Sequence, residues 1–417
     1  MALWTVHGDG RRLAEGEMVR ADERLSWPLT ASLGLQHVAA MFAATVLVPK
    51  LTGFSPATTL LFSGLGTLLF LLLTRNRIPS YLGSSFAFVA PLAAARGDGV
   101  GAELGGVLFA GVLVVCVGIA VKALGVRLLE SVMPPVVSGA VIMLVGLSLA
   151  PFAVPGAETQ PGLAAVTVVV TGLCAVLSRG LPARTAVLLG VLAGWLVGQL
   201  SGNVPSAAWA GVGRAAWLGW PALQTPELRS SVMLLVLPAV IVLVAQNTAQ
   251  VKAIGEVTGR NLDGNIGDAL ISGGLASMLA GAGGGSGLTT YASNIGVMAV
   301  TRVFSTAAYV VAAVCAIGLS CSPKVTAVLD TMPAGVSGGV TLVLCGAVAM
   351  LGVRVWMAND VDLTDPVNLM AGGTAVAAGV GDVTIQLGSM QFDGIVWGSL
   401  LIVLGYPLLR TLRGMRR

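Results

Sequence analysis

The sequence predicts an all-α polytopic membrane protein of fourteen transmembrane segments, set out as two groups of seven with opposite orientation. Three observations predict it. Charged residues make up 10% of the 417 and apolar ones 55%, against about 25% charged in soluble proteins, so a soluble globule could not cover itself. Apolar stretches of membrane-spanning length recur along the chain. When these stretches are threaded alternately across a bilayer, the basic residues gather on one side. The 56 glycines and 19 prolines follow no Gly-X-Y period, which excludes collagen. The net charge of +4 comes from scattered residues without a basic run, so no nucleic-acid partner is expected. Cys116, Cys174, Cys315, Cys321 and Cys345 form no C-x-x-C pair and read as small apolar residues.

Residues 1–27 are polar and mixed in charge and lack the apolar core of a cleavable signal, so a cytoplasmic tail is expected there. Spans one to four follow at 29–48, 57–74, 84–95 and 103–122. Spans five to seven fall at 132–151, 163–178 and 183–201. The second group holds 230–251, 266–282, 290–301 and 304–322, then 333–351, 366–381 and 394–412. With the N-terminus inside, eighteen of the 23 basic residues are cytoplasmic. Only Lys50, Arg96, Arg214, Arg229 and Lys324 lie outside. A missed or spurious span would scramble that asymmetry, and an even count returns the C-terminus to the inside.

Spans three and ten are short and hold corresponding places in the two groups. The third opens on Ile78-Pro79-Ser80-Tyr81-Leu82-Gly83-Ser84-Ser85-Phe86-Ala87-Phe88. The tenth follows the Gly, Ala and Ser run of 281–287, then Leu288-Thr289-Thr290-Tyr291-Ala292-Ser293-Asn294. Non-helical backbone at membrane depth is tolerated only where protein buries it or it lines a cavity. Paired interrupted segments in two halves therefore point to a transporter's midplane site. Seven spans per half inverts the second half, so the two short helices present their N-termini, with free N–H groups and positive dipole ends, toward each other. Close helix packing alone explains scattered glycines, but explains the run at 281–287 poorly.

The nineteen acidic residues all fall in the tail, in loops or at span ends. Intramembrane carboxylates are the usual proton relays and cation sites, so their absence from mid-span is informative. His37 on span one is the ionisable side chain nearest the middle. Gln36, Ser84, Ser85, Gln246, Asn247, Gln250, Thr289, Thr290, Ser293 and Asn294 are the uncharged polar groups at that depth. There is no HExxH, GxSxG or Walker-type motif, and two histidines leave acid–base chemistry without candidates, so no enzyme, cofactor or metal site is expected.

Leu35-Gln36-His37-Val38 with Met41-Phe42, the Tyr81-to-Phe88 stretch, and Asn294, Gly296, Thr301 and Arg302 in an Asn-x-Gly-x-x-x-x-Thr-Arg pattern resemble the nucleobase–ascorbate transporters, in particular their bacterial uracil-carrying branch. With Pro49, Leu237-Pro238-Ala239 and Met332-Pro333, the similarity runs from about residue 27 to 412. The resemblance implies strand-plus-half-helix segments at spans three and ten. It implies a core domain of spans 1–4 (28–130) and 8–11 (229–330), and a gate domain of spans 5–7 (131–228) and 12–14 with a short tail (331–417). The core moves against the gate like an elevator, and the gate pairs two copies into a homodimer in the bacterial inner membrane. Carried onto this chain, Phe86 stacks on the base, and Tyr291, the Ala292 backbone, Ser85 and Gln246 line the site. His37 hydrogen-bonds near the substrate, and Asn294 is the motif asparagine.

The chain also departs from that pattern. The uracil permeases carry glutamates where it has Gln246 and Ser293, a histidine at Gln250 and a tyrosine at Cys345. Those carboxylates are tied to base binding and proton coupling, leaving His37 and Gln250 as the coupling candidates here. Gln246 can still give and accept a hydrogen bond with an amide-like edge such as uracil's. The expectation is a formally neutral site and a uracil carrier that runs as a facilitator. A purine or xanthine carrier stays open, because Ser293 is neither the glutamate typical of uracil carriers nor the glutamine of purine carriers. So does an anion carrier of the sulfate-permease type, since two half-helix dipoles suit an anion, or a non-transporting receptor or scaffold.

Overall fold

The computed structural model describes residues 4–11, 13, 17–127, 129, 133–381, 385–387, 390–392 and 394–414. Arg12, Glu15, Glu130, Asp382, Asp393, Arg416 and Arg417, expected in the tails, loops or span ends, lie outside these.

The N-terminal segment is not a loose tail. Strand β1 (Thr5–Val6) pairs in parallel with β2 (Glu23–Arg24). Between them Val19 makes a parallel bridge to Val303. Val19 N donates to Arg302 O at 3.0 Å and Phe304 N to Val19 O at 2.8 Å. Val19, Leu25 and Val303 form a small buried cluster, and Leu13 and Leu33 pack on it. Three apolar side chains spaced through a polar stretch have no strand or helix period, which is why the sequence reads as a tail.

Helix α1 (Trp27–Thr52) begins with proline in its first turn, where a missing N–H costs nothing. It stops at Gly53, whose φ of 82° suits a residue without Cβ. Helix α2 (Pro56–Leu73) opens the same way. The chain then forms strand β3 (Leu82–Ser84), a 3-10 turn over Phe86–Phe88 and the short helix α3 (Val89–Ala94). Helix α4 (Val100–Leu124) follows. Next come α5 (Pro135–Ser148), α6 (Ala150–Thr159), α7 (Pro161–Leu177), α8 (Ala186–Leu200) and the short α9 (Ser206–Arg214).

The second half holds α10 (Ser230–Leu235), α11 (Leu237–Thr258) and α12 (Ile266–Gly283). Strand β4 (Leu288–Thr290) and helix α13 (Ala292–Thr301) match β3 and α3. Then come α14 (Thr306–Ser320), α15 (Pro323–Asp330), α16 (Ala334–Ala358), α17 (Pro366–Val380), the two-stranded hairpin β5 (Ile385–Leu387) and β6 (Met390–Phe392), and α18 (Gly394–Gly414).

Helical segments occupy all fourteen predicted stretches. Among the described residues, seven helices are long and apolar enough to cross a membrane, or eight if α14 and α15, bent by 81°, make one span. The apolar helices α7, α8 and α13 are shorter. The packing falls into two sets. Helix α4 lies along α12, and α2 lies between α12 and α14. Gly111 and Gly274 let α4 and α12 touch: a Cβ on either would sit 2.8 Å from the other's carbonyl oxygen. In the second set α5 packs on α16, α7 on α8, and α17 on α18.

Candidate functional site

Strands β3 and β4 pair antiparallel between these elements, with Leu82 opposite Thr290, Gly83 opposite Thr289 and Ser84 opposite Leu288. Ser85 N donates to Gly287 O at 2.8 Å and Tyr291 N to Tyr81 O at 3.2 Å, extending the ladder at both ends. Each strand runs directly into its short helix, so the ladder holds the two helix starts side by side. Two glycines make this possible. A Cβ on Gly83 would lie 2.5 Å from the Tyr291 ring, and one on Gly287 would overlap the Phe88 ring.

At the first helix start the Ser85 side chain accepts from Ala87 N at 3.3 Å. Helix α13 has no side-chain cap, and Tyr291 occupies its N-cap position. Its first N–H groups, at Ala292, Ser293 and Asn294, are therefore left without intrahelical partners. Ala292 and Ser293 are exposed. The Phe86 ring, half-buried, packs both on Leu47, Val336 and Val340 and on Val48, Leu149 and Cys345. It thus sits where α1 meets α16.

Helix α11 backs the ladder. Asn247 Oδ1 accepts from Thr290 N at 3.3 Å, Thr290 Oγ1 at 3.0 Å and Thr289 Oγ1 at 3.4 Å, while its Nδ2 donates to Leu243 O at 2.9 Å. Gln250 Oε1 accepts from the Thr290 hydroxyl. Gln246 is different. It is 6% exposed, and its side chain makes no hydrogen bond among the described residues.

The remaining predicted residues form a buried brace behind the helix starts. Asn294, 0% exposed, donates through Nδ2 to His37 O at 3.2 Å, and the same atom lies 3.2 Å from His37 Nδ1. The His37 ring, 1% exposed, stacks 4.3 Å from Tyr309. Tyr291 donates to Ser84 O at 2.8 Å and lies 3.4 Å from Thr45 Oγ1. The site thus brings Ser85, Phe86, Tyr291, Ala292 and Ser293 together around the ladder, with Gln246 one helical turn before Gln250 on α11. His37, Asn294 and Gln250 tie α1, α13 and α11 to it. Asn247 was legible as polar, but its three contacts to β4 were not. Thr45 and Tyr309 were missed, since a lone threonine or tyrosine in an apolar span carries no signal.

No charged side chain belongs to this set, so what it offers is hydrogen-bonding edges, an aromatic face and a helix dipole. A neutral planar ligand with amide-like groups can use all three.

Comparison with known proteins shows the family. Residues 29–388 match the xanthine and uracil permease model, described as "Permease family". The chain is 42% identical over 405 residues to "Putative pyrimidine permease RutG" of Escherichia coli strain K12, covering 93% of this chain and 92% of that one. It is 35% identical over 400 residues to the "Uracil permease" of the same organism, covering 92% of each. Among solved structures, murine Slc26a9, an anion transporter captured in the inward-facing state, superposes with a TM-score of 0.63 over 93% of this chain and 69% of that one. At 12% identity that likeness shows the fold alone. The chain is a multi-pass membrane protein, a transporter rather than an enzyme, and it belongs to the nucleobase–ascorbate transporter family.

Proposed function

We propose that this protein carries a neutral nucleobase, uracil foremost, across the bacterial inner membrane. The observation that carries the reading is the β3–β4 ladder, which sets two half-helix starts side by side against α11, whose Gln246 amide stands one turn before Gln250 and is unengaged among the described residues. In this reading the base lies on the Phe86 ring and exchanges an N–H and a C=O with Gln246. The uncapped N–H groups of Ala292 and Ser293 receive a base carbonyl. His37, Asn294 and Gln250 hold the helices that present these groups. No carboxylate belongs to the site, so base binding itself is independent of pH, as in a facilitator.

The transport step we propose is an elevator, with α1–α4 and α10–α15 as a core that slides against a gate of α5–α8 and α16–α18. Fourteen segments cross or enter the bilayer in two inverted repeats, with both termini cytoplasmic. Packing supports this: span four lies on span nine as span eleven lies on span two, and spans six and seven pair as spans thirteen and fourteen do. Exchanging the two groups of seven leaves these contacts unchanged. The gate pairs two copies into a homodimer, which mass measurement in detergent checks.

The test of substrate is thermal stabilisation of the purified protein by uracil, xanthine, bicarbonate and chloride, because a ligand that binds the folded state raises its stability by mass action. Stabilisation by uracil, unchanged between pH 6 and 8, is expected. Stabilisation by anions alone overturns the reading.

A further inference from the structure

The connection between α8 and α10 carries a surface that the base site does not use. From Ala215 to Leu223 it has no charged residue and, apart from two indole N–H groups, no hydrogen-bonding side chain. Its large side chains are nevertheless uncovered: Trp217 is 75% exposed, Leu218 83%, Trp220 73% and Leu223 55%. A contiguous apolar patch of this kind marks a place where something else binds. The stretch is not a loose loop. Gly219 N donates to Cys321 O at 2.9 Å, Lys324 N to Ala216 O at 3.1 Å and Gln224 N to Gly283 O at 3.3 Å. The Lys324 ammonium lies 4.3 Å from the centre of the Trp217 ring, a cation–π contact that holds the indole in place.

Those bonds put the stretch at one end of the bundle. Gly283 closes α12, and Cys321 caps the end of α14. The N-terminal segment docks at the opposite end of α14, on Val303 to Thr306. Helix α15 turns 81° away from α14, so it runs across this end rather than through the bundle. Helix α9, which has no buried residue, packs on α15. The three pieces form one layer at the depth where the long helices stop. Between Ser206 and Gln224, and between Cys321 and Leu329, the charged residues are Arg214 and Lys324, both cationic. Indole rings favour the headgroup level of a bilayer, where the ring meets apolar chains and the N–H meets water. Cations at that level meet lipid phosphates. A second copy of the chain suits this surface less well, because a two-fold pairing would set one cationic patch against the same patch.

We propose that α9, residues 215–223 and the first turn of α15 form a phospholipid-binding surface. Trp217, Leu218, Trp220 and Leu223 sit among the headgroups and upper acyl chains of one leaflet, and Arg214 and Lys324 hold lipid phosphates. Lys324 serves twice, over the Trp217 ring and, through its ammonium N–H groups, on a phosphate. With no acidic side chain in the layer, the surface favours an anionic phospholipid over a zwitterionic one. This assignment rests on the chain's being a membrane protein and not on what the chain carries.

The full chain in lipid nanodiscs tests the proposal through its own indoles. Wild type is compared with the double variant Trp217→Phe, Trp220→Phe in phosphatidylcholine, either plain or brominated in the upper part of the acyl chains. The emission that the two substitutions remove should be quenched severalfold by the brominated lipid and little by acrylamide in the water. Quenching by acrylamide alone puts the stretch in water, and quenching by neither puts it against protein; each overturns the proposal. The second measurement reads the charge. Unfolding temperature in detergent is followed with added phosphatidylglycerol or phosphatidylcholine, for wild type and for the double variant Arg214→Gln, Lys324→Gln. Phosphatidylglycerol should raise the wild-type value by several degrees and that of the variant by clearly less, since a ligand of the folded state stabilises by mass action. Equal gains in the two proteins overturn the assignment of Arg214 and Lys324. Neither measurement uses a base, so a failure to bind uracil would refute the transport reading and leave both results standing.

Discussion

The Asn294 amide is a hinge of the whole site, because it fixes both the start of α13 and the ring of His37. Asn294→Ala leaves a buried imidazole nitrogen and a buried carbonyl without that donor. The loss should be about 1–3 kcal/mol, as for other buried groups stripped of a partner, read from denaturant unfolding in detergent. Gln246→Glu asks a different question. It puts an acceptor-only carboxylate where the amide now both gives and accepts, so base affinity should become pH-dependent and change about tenfold between pH 6 and 8, or roughly 1.4 kcal/mol. Isothermal titration at the two pH values checks it. The sequence showed most of these side chains, because amides and hydroxyls in apolar spans stand out. It did not show their division of labour. That Gln250 and Asn247 are spent on Thr290 while Gln246 is free depends on which way α11 faces the ladder, and polarity alone does not set a helix's rotation.

At the scale of elements, the ladder was legible for a physical reason. Non-helical backbone such as Gly83-Ser84-Ser85 and Gly287-Leu288-Thr289 is tolerated in lipid only with a partner, and each is the other's partner. Asn247→Leu should therefore destabilise more than a surface change. It takes the Asn247 acceptor from the buried Thr290 N–H, while Gln250 keeps the hydroxyl, at a cost of about 1–3 kcal/mol, seen as a lower unfolding midpoint. The N-terminal segment was not legible, because its order comes from residues some three hundred positions away. Its His7 lies 2.9 Å from Glu23 and 3.5 Å from Glu17. The hydrogen bond to Glu23, with help from Glu17, raises the His7 imidazole above its usual range. Burial pushes the Glu23 carboxyl up, but the Arg20 N–H and His7 outweigh it and hold it below its usual range. His7 thus contributes fully below its unfolded value, and that contribution fades as pH rises through the raised folded value. Glu23 contributes above its unfolded value and fades as pH falls through the lowered one. Docking of the segment should be tightest in the window between, and amide exchange at Val19 and Phe304 should quicken above it. Replacing His7 by Gln should flatten the alkaline side of that profile.

For the whole molecule, the apolar stretches gave a mostly helical multi-pass membrane protein, since their length follows from bilayer thickness. Burial of Glu103 in the first turn of α4 did not follow, because a place at a span end does not tell which helices pack around it. The division into two packed sets makes a mechanical prediction. Leu47 of α1 and Val340 of α16 share one buried cluster across the two sets. Cysteines at these two positions, oxidised to a disulfide, should abolish uracil uptake in proteoliposomes, and reductant should restore it. Undiminished uptake by the crosslinked protein would mean that the two sets do not slide.

The docked N-terminus also bears on how the protein is made. Trp4 donates its indole N–H to Thr306 at 2.7 Å, across 302 positions of sequence. Residues this early in the sequence must wait until α14 has been synthesised before they find their place. They dock only once α14 is in position, so removal of residues 4–24 should show itself as a late assembly fault: helices threaded normally, yet α14 left open to proteases.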